Sequence, residues 1–493
     1  MNLIKKQGIL NSIFLYLGTA LAFFNLMIVF QRSLSIREIG FYNILSSVVL
    51  LYVQFASWGI SNVITRFLPI FRTNDKKHQG FATYAFLACG LTFGIFTIGF
   101  FLFKDQVIAY KAVDDTASLM DRYYGYFFPI ALCSTLYLLQ ESFARTAFKT
   151  LLPSFLREVA LRLFATCGAI LILVNWIDYH GFIDLYLIGN IAILLVISIY
   201  VYYIRAYRFG AITTPVKSQI RHMFQFGFYS MLGGSSFTLL QNLDVLIIKV
   251  LSGEEMVGIY ATFFGIAQII SLPARALNIT SYQIIANAWK ENQLAKINKI
   301  YGKTTIVQCL VGCLLLVMLI VNRDAILALL DKPEYPKYFN VMIIVGLAFL
   351  VDATGGINQA IIGFSKHYRW VMILMVFAAL LCAVLNFLLI PLFGLEGAAL
   401  SYLLTMIFTN FSFWLFLLLK FKMQPFTMKI GLILLISAIS LAIGCFVPKM
   451  GPFILDTCIR SLLVSFIFGA LTYVFQISPD INEVIDQHVL RKK

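Results

Sequence analysis

Charged side chains set in apolar runs are the residues of this sequence that could do chemistry. Glu141 and Arg145 stand four apart, as do Glu158 and Arg162. That spacing puts each pair on one helix face, in the favourable order. Arg157 and Lys149 lie close by. A charge within a membrane span costs about 3 kcal/mol or more, so it needs a partner or a wet cavity. Arg145, Arg157 and Arg162 together would form a cationic wall for a phosphate or pyrophosphate, which guanidinium grips with two prongs. The competing reading is ion pairing that merely closes the bundle. Asp352 lies mid-span and is followed by Thr354, Gly355, Gly356, Asn358 and Gln359. Paired glycines at that depth weaken a helix and free backbone groups, which is tolerable only against protein or water. Asp244 stands beside Gln241 and Asn242, downstream of Gly233-Gly234-Ser235-Ser236. Both carboxylates read as cavity or ion-coupling groups, or as interhelical hydrogen bonds. Arg66 and Arg275 end corresponding spans and either line the pathway or anchor their helices.

The elements that must position these residues are membrane helices. The 493 residues are 60% hydrophobic and only 12% charged, half the charge of a soluble chain at roughly 25%. Too few charges remain to solvate a water-facing surface of this size. Fourteen apolar runs of about 20 residues fall near 9–30, 41–64, 80–103, 123–144, 155–176, 182–204, 225–250, 257–279, 304–322, 340–363, 370–391, 396–419, 428–447 and 455–476. Lys5 and Lys6 ahead of an apolar run imitate a signal peptide, but the run continues to Phe30, so an uncleaved first helix is expected. The net charge of +15 is dispersed among the spans and forms no stripe for nucleic acid. The eight cysteines stand singly or, as Cys309 and Cys313, without a third ligand, so no metal site is expected. The five histidines are scattered and there is no phosphate loop. Neither catalysis nor ATP hydrolysis is therefore expected.

Placing the N-terminus in the cytoplasm puts 26 of the 38 basic residues inside and 11 outside, with Arg162 within a span. That bias follows the positive-inside rule and requires an even helix count, with both termini inside. The sequence also repeats. Leu34-Ser35-Ile36-Arg37-Glu38-Ile39-Gly40-Phe41-Tyr42 aligns, with one insertion, to Leu251-Ser252-Gly253-Glu254-Glu255-Met256-Val257-Gly258-Ile259-Tyr260. Gly40 and Gly258 are 218 positions apart, and Gly181 and Gly394 differ by nearly as much, 213. The expected architecture is an all-α membrane protein with two parallel-repeat six-helix bundles, residues 1–210 and 211–424. Two further helices and a cytoplasmic tail, 425–493, follow.

Several stretches carry a family likeness. They are Gly59-Ile60-Ser61-Asn62-Val63-Ile64-Thr65-Arg66-Phe67, the run from Asn242-Leu243-Asp244 to Gly258-Ile259-Tyr260, and Ile390-Pro391-Leu392-Phe393-Gly394-Leu395-Glu396-Gly397-Ala398-Ala399-Leu400-Ser401. In order and helix count they resemble the Wzx-type, or polysaccharide-transport, flippases of the multidrug/oligosaccharidyl-lipid/polysaccharide exporter superfamily. The resemblance implies a bacterial cytoplasmic-membrane protein. It would turn an undecaprenyl-pyrophosphate-linked oligosaccharide from the inner to the outer leaflet by alternating access, for surface polysaccharides such as O-antigen. It implies no cofactor, a drive from a proton or sodium gradient or the membrane potential, and a glycan polymerase or ligase as partner beside membrane lipid. A lipid II flippase and a cation-coupled multidrug antiporter are the alternatives. A membrane glycosyltransferase is disfavoured, because the longest outer loops, near 104–122 and 323–339, are too short for a catalytic domain.

The topology is testable by reporter fusions. Fusions after residues 110 and 330 should report the outer side and one after 212 the cytoplasm; a cytoplasmic signal at 330 breaks the two-half architecture.

Overall fold

The computed structural model describes residues 2–104, 118–448, 451 and 453–477. Residues 105–117 and the tail after 477 lie outside the described residues. No strand occurs among those described. Twelve helices are long and apolar enough to cross a membrane, and a thirteenth is counted if Thr214–Ser235 and Thr238–Ser252, which meet at 58°, form one span. The remaining expected span, 155–176, is helical from Leu151 to Leu173 but includes a π-helical turn, Leu156–Ala160. It carries Arg157, Glu158 and Arg162, which dilute its apolar character.

Two expected spans are broken. The run 41–64 forms Ile36–Ala56 and Ile60–Phe67, because Trp58 and Gly59 turn left-handed at φ +50° and +65°. The run 340–363 forms Phe339–Thr354 and Asn358–Phe364, interrupted at Gly355-Gly356. Gly356 has φ +62° and presses on Thr305, where a methyl would come within 2.6 Å of Oγ1. Helix Ile36–Ala56 starts at a capping box: Ser35 Oγ accepts from the Glu38 amide at 3.3 Å, and Glu38 accepts from the Ser35 amide at 2.7 Å.

Exposed aliphatic side chains run in helical stripes. Leu87, Leu91, Ile95, Ile98 and Leu102 mark one on helix Phe81–Leu102, and Leu380, Val384, Phe387 and Leu388 another on Arg369–Phe393. Stripes of that size would aggregate in water and instead meet lipid. The protein is a multi-pass membrane protein.

The chain folds as two compact units, Met1–Ala261 and Thr262–Lys493. The boundary falls inside helix Glu254–Ala267. In the first unit the long helix Thr214–Ser252 packs against Ile36–Ala56. The repeat-related glycines make a second, reciprocal contact, between Ile36–Ala56 and helix Glu254–Ala267. A methyl on Gly40 would overlap the Glu254 carbonyl, and a methyl on Gly258 would overlap the Ile36 carbonyl. Residues 36 and 254 differ by the same 218 as the glycines, so one contact is repeated about a local pseudo-two-fold. Further along, Gly227 meets the Trp58 carbonyl, 2.6 Å from where a Cβ would stand. In the second unit, Arg460 ties the last two helices: Nε donates to Asp456 at 2.8 Å and Nη1 to the Gly444 carbonyl at 3.2 Å.

Glu254 locks the reciprocal contact. Its buried carboxylate accepts from Arg37 Nε at 3.0 Å, Ser118 Oγ at 2.5 Å, and the amides of Leu119 at 3.1 Å and Met120 at 2.8 Å. Four donors replace the water this carboxylate has lost.

Overpacking such a contact costs about 1–3 kcal/mol. Gly40→Val and Gly258→Val should therefore each lower the thermal unfolding midpoint of the purified protein. Gly99→Ala, with nothing within 4 Å of the added carbon, should leave it in place. Equal midpoints for all three would remove the contact's structural role.

Candidate functional site

The arginines singled out by the sequence come together. Arg145 Nη2 donates to Glu141 Oε1 at 2.8 Å, and Arg157 Nη1 donates to Glu141 Oε2 at 3.1 Å. Arg157 Nε reaches Glu158 Oε1 at 3.3 Å, and Arg162 Nη1 lies 3.4 Å from Glu158 Oε2. The result is one connected chain, Arg145–Glu141–Arg157–Glu158–Arg162, with one positive charge in excess. Glu141 is buried, while the arginine side chains stay 47%, 50% and 31% exposed in that order. Each guanidinium carries five N–H donors, so several remain for a further anion.

Backbone irregularity positions this chain. Arg157 and Glu158 sit in the π-helical turn Leu156–Ala160, whose wider winding redirects their side chains. The first helix has its own π turn, Asn25–Val29. Buried Asn25 donates Nδ2 to the Arg162 carbonyl at 3.3 Å, and its Oδ1 accepts from Thr166 Oγ1 at 2.8 Å. Gly18 lets the first helix approach so closely that a methyl there would overlap the Glu158 carbonyl and Arg162 Nη1. Tyr137 donates to the Pro153 carbonyl at 2.5 Å, fixing the start of the same irregular helix.

The other candidates are dispersed. Arg66 stacks its guanidinium carbon 4.4 Å from the Phe226 ring centre and 5.6 Å from that of Phe67. Those cation–π contacts account for its position. Asp244 is buried and accepts from Tyr260 at 2.7 Å, as an interhelical hydrogen bond would. In the second unit, Asp352 is exposed. Asn410 Nδ2 donates to its Oδ1 at 3.4 Å, and Arg275 lies within electrostatic reach. Asn358 is buried and donates to Asn410 Oδ1 at 2.9 Å. Gly355 makes room for this amide pair, because a Cβ there would overlap Asn410. Beside them lies a largely apolar cavity of about 430 Å³, bordered by Tyr301, Thr354, Gly355, Asn358 and Asn410.

Sequence reasoning missed Glu254 and Asn410. Glu254 was in view, since the repeat pairs it with Ile36, and an acid opposite an aliphatic was the available signal. Asn410 offered none, because a lone asparagine in an apolar run is legible only through its partner. Among the described residues no group of three or more His, Cys, Asp or Glu could hold a metal ion.

Residues 6–282 match the polysaccharide biosynthesis protein family, and residues 230–392 match the MatE family. No curated protein matches the chain significantly in sequence. Three solved structures are similar to it. The lipid II flippase MurJ in an inward closed conformation superposes with a TM-score of 0.75 at 16% identity, over 95% of this chain and 100% of that one. The MATE transporter VcmN of Vibrio cholerae gives 0.58 at 12%, over 84% and 96%. An outward-facing multidrug resistance MATE family transporter of the MOP superfamily gives 0.57 at 13%, over 84% and 94%. At these identities the likeness concerns the fold, and it is the fold of membrane transporters. With more than half its length matched, and with the membrane helices and repeat-related glycines described above, this chain belongs to the polysaccharide biosynthesis protein family.

Proposed function

We propose that this chain is a flippase of the bacterial cytoplasmic membrane. It carries an undecaprenyl-pyrophosphate-linked oligosaccharide from the inner to the outer leaflet by alternating access, for surface polysaccharide biosynthesis. The chain Arg145–Glu141–Arg157–Glu158–Arg162 carries this reading. A pyrophosphate headgroup brings at least two negative charges out of water, and desolvating them unpaired is prohibitive. Three guanidiniums with spare donors offset that, whereas a cationic drug would meet net positive charge. Glu141 and Glu158 hold the arginines in place before substrate arrives, so less ordering is left to binding. Transport is the whole activity in this reading, with no catalytic step. A glycan polymerase or ligase would act on the delivered product.

Asp352, with Asn358, Asn410 and Arg275 around it, is the coupling group of the second unit in this reading. Its carboxylate lies at membrane depth, keeps accessible surface and has one long hydrogen bond, so a proton or sodium ion would find it incompletely satisfied. The Glu254 knot holds the starts of helices Ile36–Ala56 and Glu254–Ala267 and the segment Ser118–Met120 together at the end expected to face outward. Its release would accompany opening on that side. Lipid II carries the same pyrophosphate, so the glycan that accumulates on its lipid carrier when the protein is depleted separates the two flippase readings.

Arg162→Ala should sharply reduce glycan reaching the outer leaflet at matched protein level. Arg162→Lys should restore it only in part, because lysine keeps the charge but not the two-pronged geometry. Full export by Arg162→Ala removes the capture role, and tolerance of alanine at Arg145, Arg157 and Arg162 alike favours the antiporter.

Asp352→Asn should reduce transport by about tenfold or more while protein level and melting behaviour stay near wild type, since the amide can still accept from Asn410. A variant that transports normally sinks the coupling role, and one that fails to insert makes the residue structural.

A further inference from the structure

A basic cavity, lined by none of the five ion-paired residues, lies in the first unit at the end of helix Tyr179–Tyr203. It measures about 710 Å³ and is bordered by Gln140, Ser198, Tyr202, Arg205, Tyr207 and Arg208. Its lining contains no acidic side chain, and neither arginine makes an ion pair among the described residues. The nearest carboxylate on the adjoining loop, Asp75, is occupied: its Oδ1 accepts from Thr73 Oγ1 at 2.5 Å and the Lys77 amide at 2.9 Å. The same loop adds Lys76 and Lys77, and the Lys76 carbonyl accepts from the Arg208 amide at 2.7 Å.

The backbone that carries the arginines is fixed by its own hydrogen bonds, while both side chains stay exposed. The helix ends in a Schellman turn, in which the Ala206 amide donates to the Val201 carbonyl at 3.2 Å and the Arg205 amide to that of Tyr202 at 3.1 Å. The left-handed position of that turn, φ +48°, is occupied by Arg205 where glycine is the usual residue. Next to it the Tyr207 ring is wedged 4.4 Å from Phe143 and 5.6 Å from Phe86, between ring centres. Its hydroxyl donates to Gln140 Oε1 at 3.1 Å, and Gln140 donates to Ser198 Oγ at 3.1 Å. Burial pushes the Tyr207 phenol up to about 12, so it remains a donor at neutral pH. The rim is amphipathic: Tyr202 and Tyr203 are 86% and 82% exposed. Tyrosines at the last turn of a spanning helix sit at headgroup depth.

We propose that this cavity binds the phosphodiester headgroup of an anionic membrane phospholipid, with Arg205 and Arg208 gripping the phosphate and the tyrosine rim against the glycerol and upper chains. Two guanidiniums without an ion-pair partner among the described residues, on a backbone fixed by hydrogen bonds, supply the anion site. A rim at the membrane interface makes the source a lipid rather than a soluble anion. The site is independent of the transport reading.

The test uses the purified full chain in neutral detergent, with adducts counted by native mass spectrometry. Dioctanoyl phosphatidylglycerol should bind, and dioctanoyl phosphatidylcholine should bind far more weakly. Arg205→Gln with Arg208→Gln should weaken phosphatidylglycerol binding by at least about tenfold. Arg208→Gln alone leaves the helix-ending turn untouched and should weaken it several-fold, which keeps the test decisive if the double variant misfolds. Wild-type affinity in the folded variants overturns the site. Equal binding of the two lipids, or full displacement by millimolar inorganic phosphate, overturns the anionic-lipid assignment.

Discussion

A buried carboxylate loses several kcal/mol of hydration unless donors replace the water, and the first unit is organised around that requirement. Glu254 gathers a guanidinium, a hydroxyl and two amides from two separate stretches of chain. Glu141 is shared by two arginines. Each such acid forces particular helices together, so the charges fix which faces of otherwise uniformly apolar helices meet. Lipid tails exert no such selection, since one leucine face is as good as another in hydrocarbon.

Glycine sets how near those helices come. Where helices carry large side chains, backbones stay 8–10 Å apart. Gly40, Gly258, Gly18 and Gly227 instead put a neighbouring carbonyl where a Cβ would be. The Gly40–Gly258 contact packs the start of helix Ile36–Ala56 against the start of helix Glu254–Ala267. Its two-fold character lets a single residue type serve both sides. The knot at Glu254 then sits on one side only, because the repeat has isoleucine at the matching position. That asymmetry gives an otherwise symmetric contact a polar lock.

The ion-pair chain and the basic cavity use opposite devices for handling arginine. In the former, carboxylates hold three guanidiniums and reduce their excess charge to one, which suits an anion that must arrive and leave. In the latter, an aromatic wedge and a left-handed helix end fix the backbone that presents two guanidiniums with no carboxylate in the cavity lining, which suits a resident anion at the membrane edge. Irregular backbone recurs at both: a π turn carries Arg157 and a left-handed residue carries Arg205. Such geometries persist where the surroundings over-determine them.

Composition and hydropathy by themselves determined the membrane class and the positions of the helices, because a span must be apolar over about 20 residues and that property is local. The i, i+4 pairs Glu141/Arg145 and Glu158/Arg162 were legible for the same reason, and the shared glycine offset of 218 singled out two residues that the structure brings into one reciprocal contact. Only the tertiary structure decided that Glu141 also binds Arg157, that Arg66 stacks on Phe226, that Asp244 faces Tyr260, and that Glu254 joins Arg37 to Ser118. Those contacts join residues 16 to 217 positions apart, or 160 for Arg66 and Phe226, and no local rule specifies them. The π turns and the break at Gly59 were equally hidden, and at Gly355-Gly356 only the weakness of the helix was legible. A sequence shows that a helix is weak at such points, whereas the packing around it decides which way it bends.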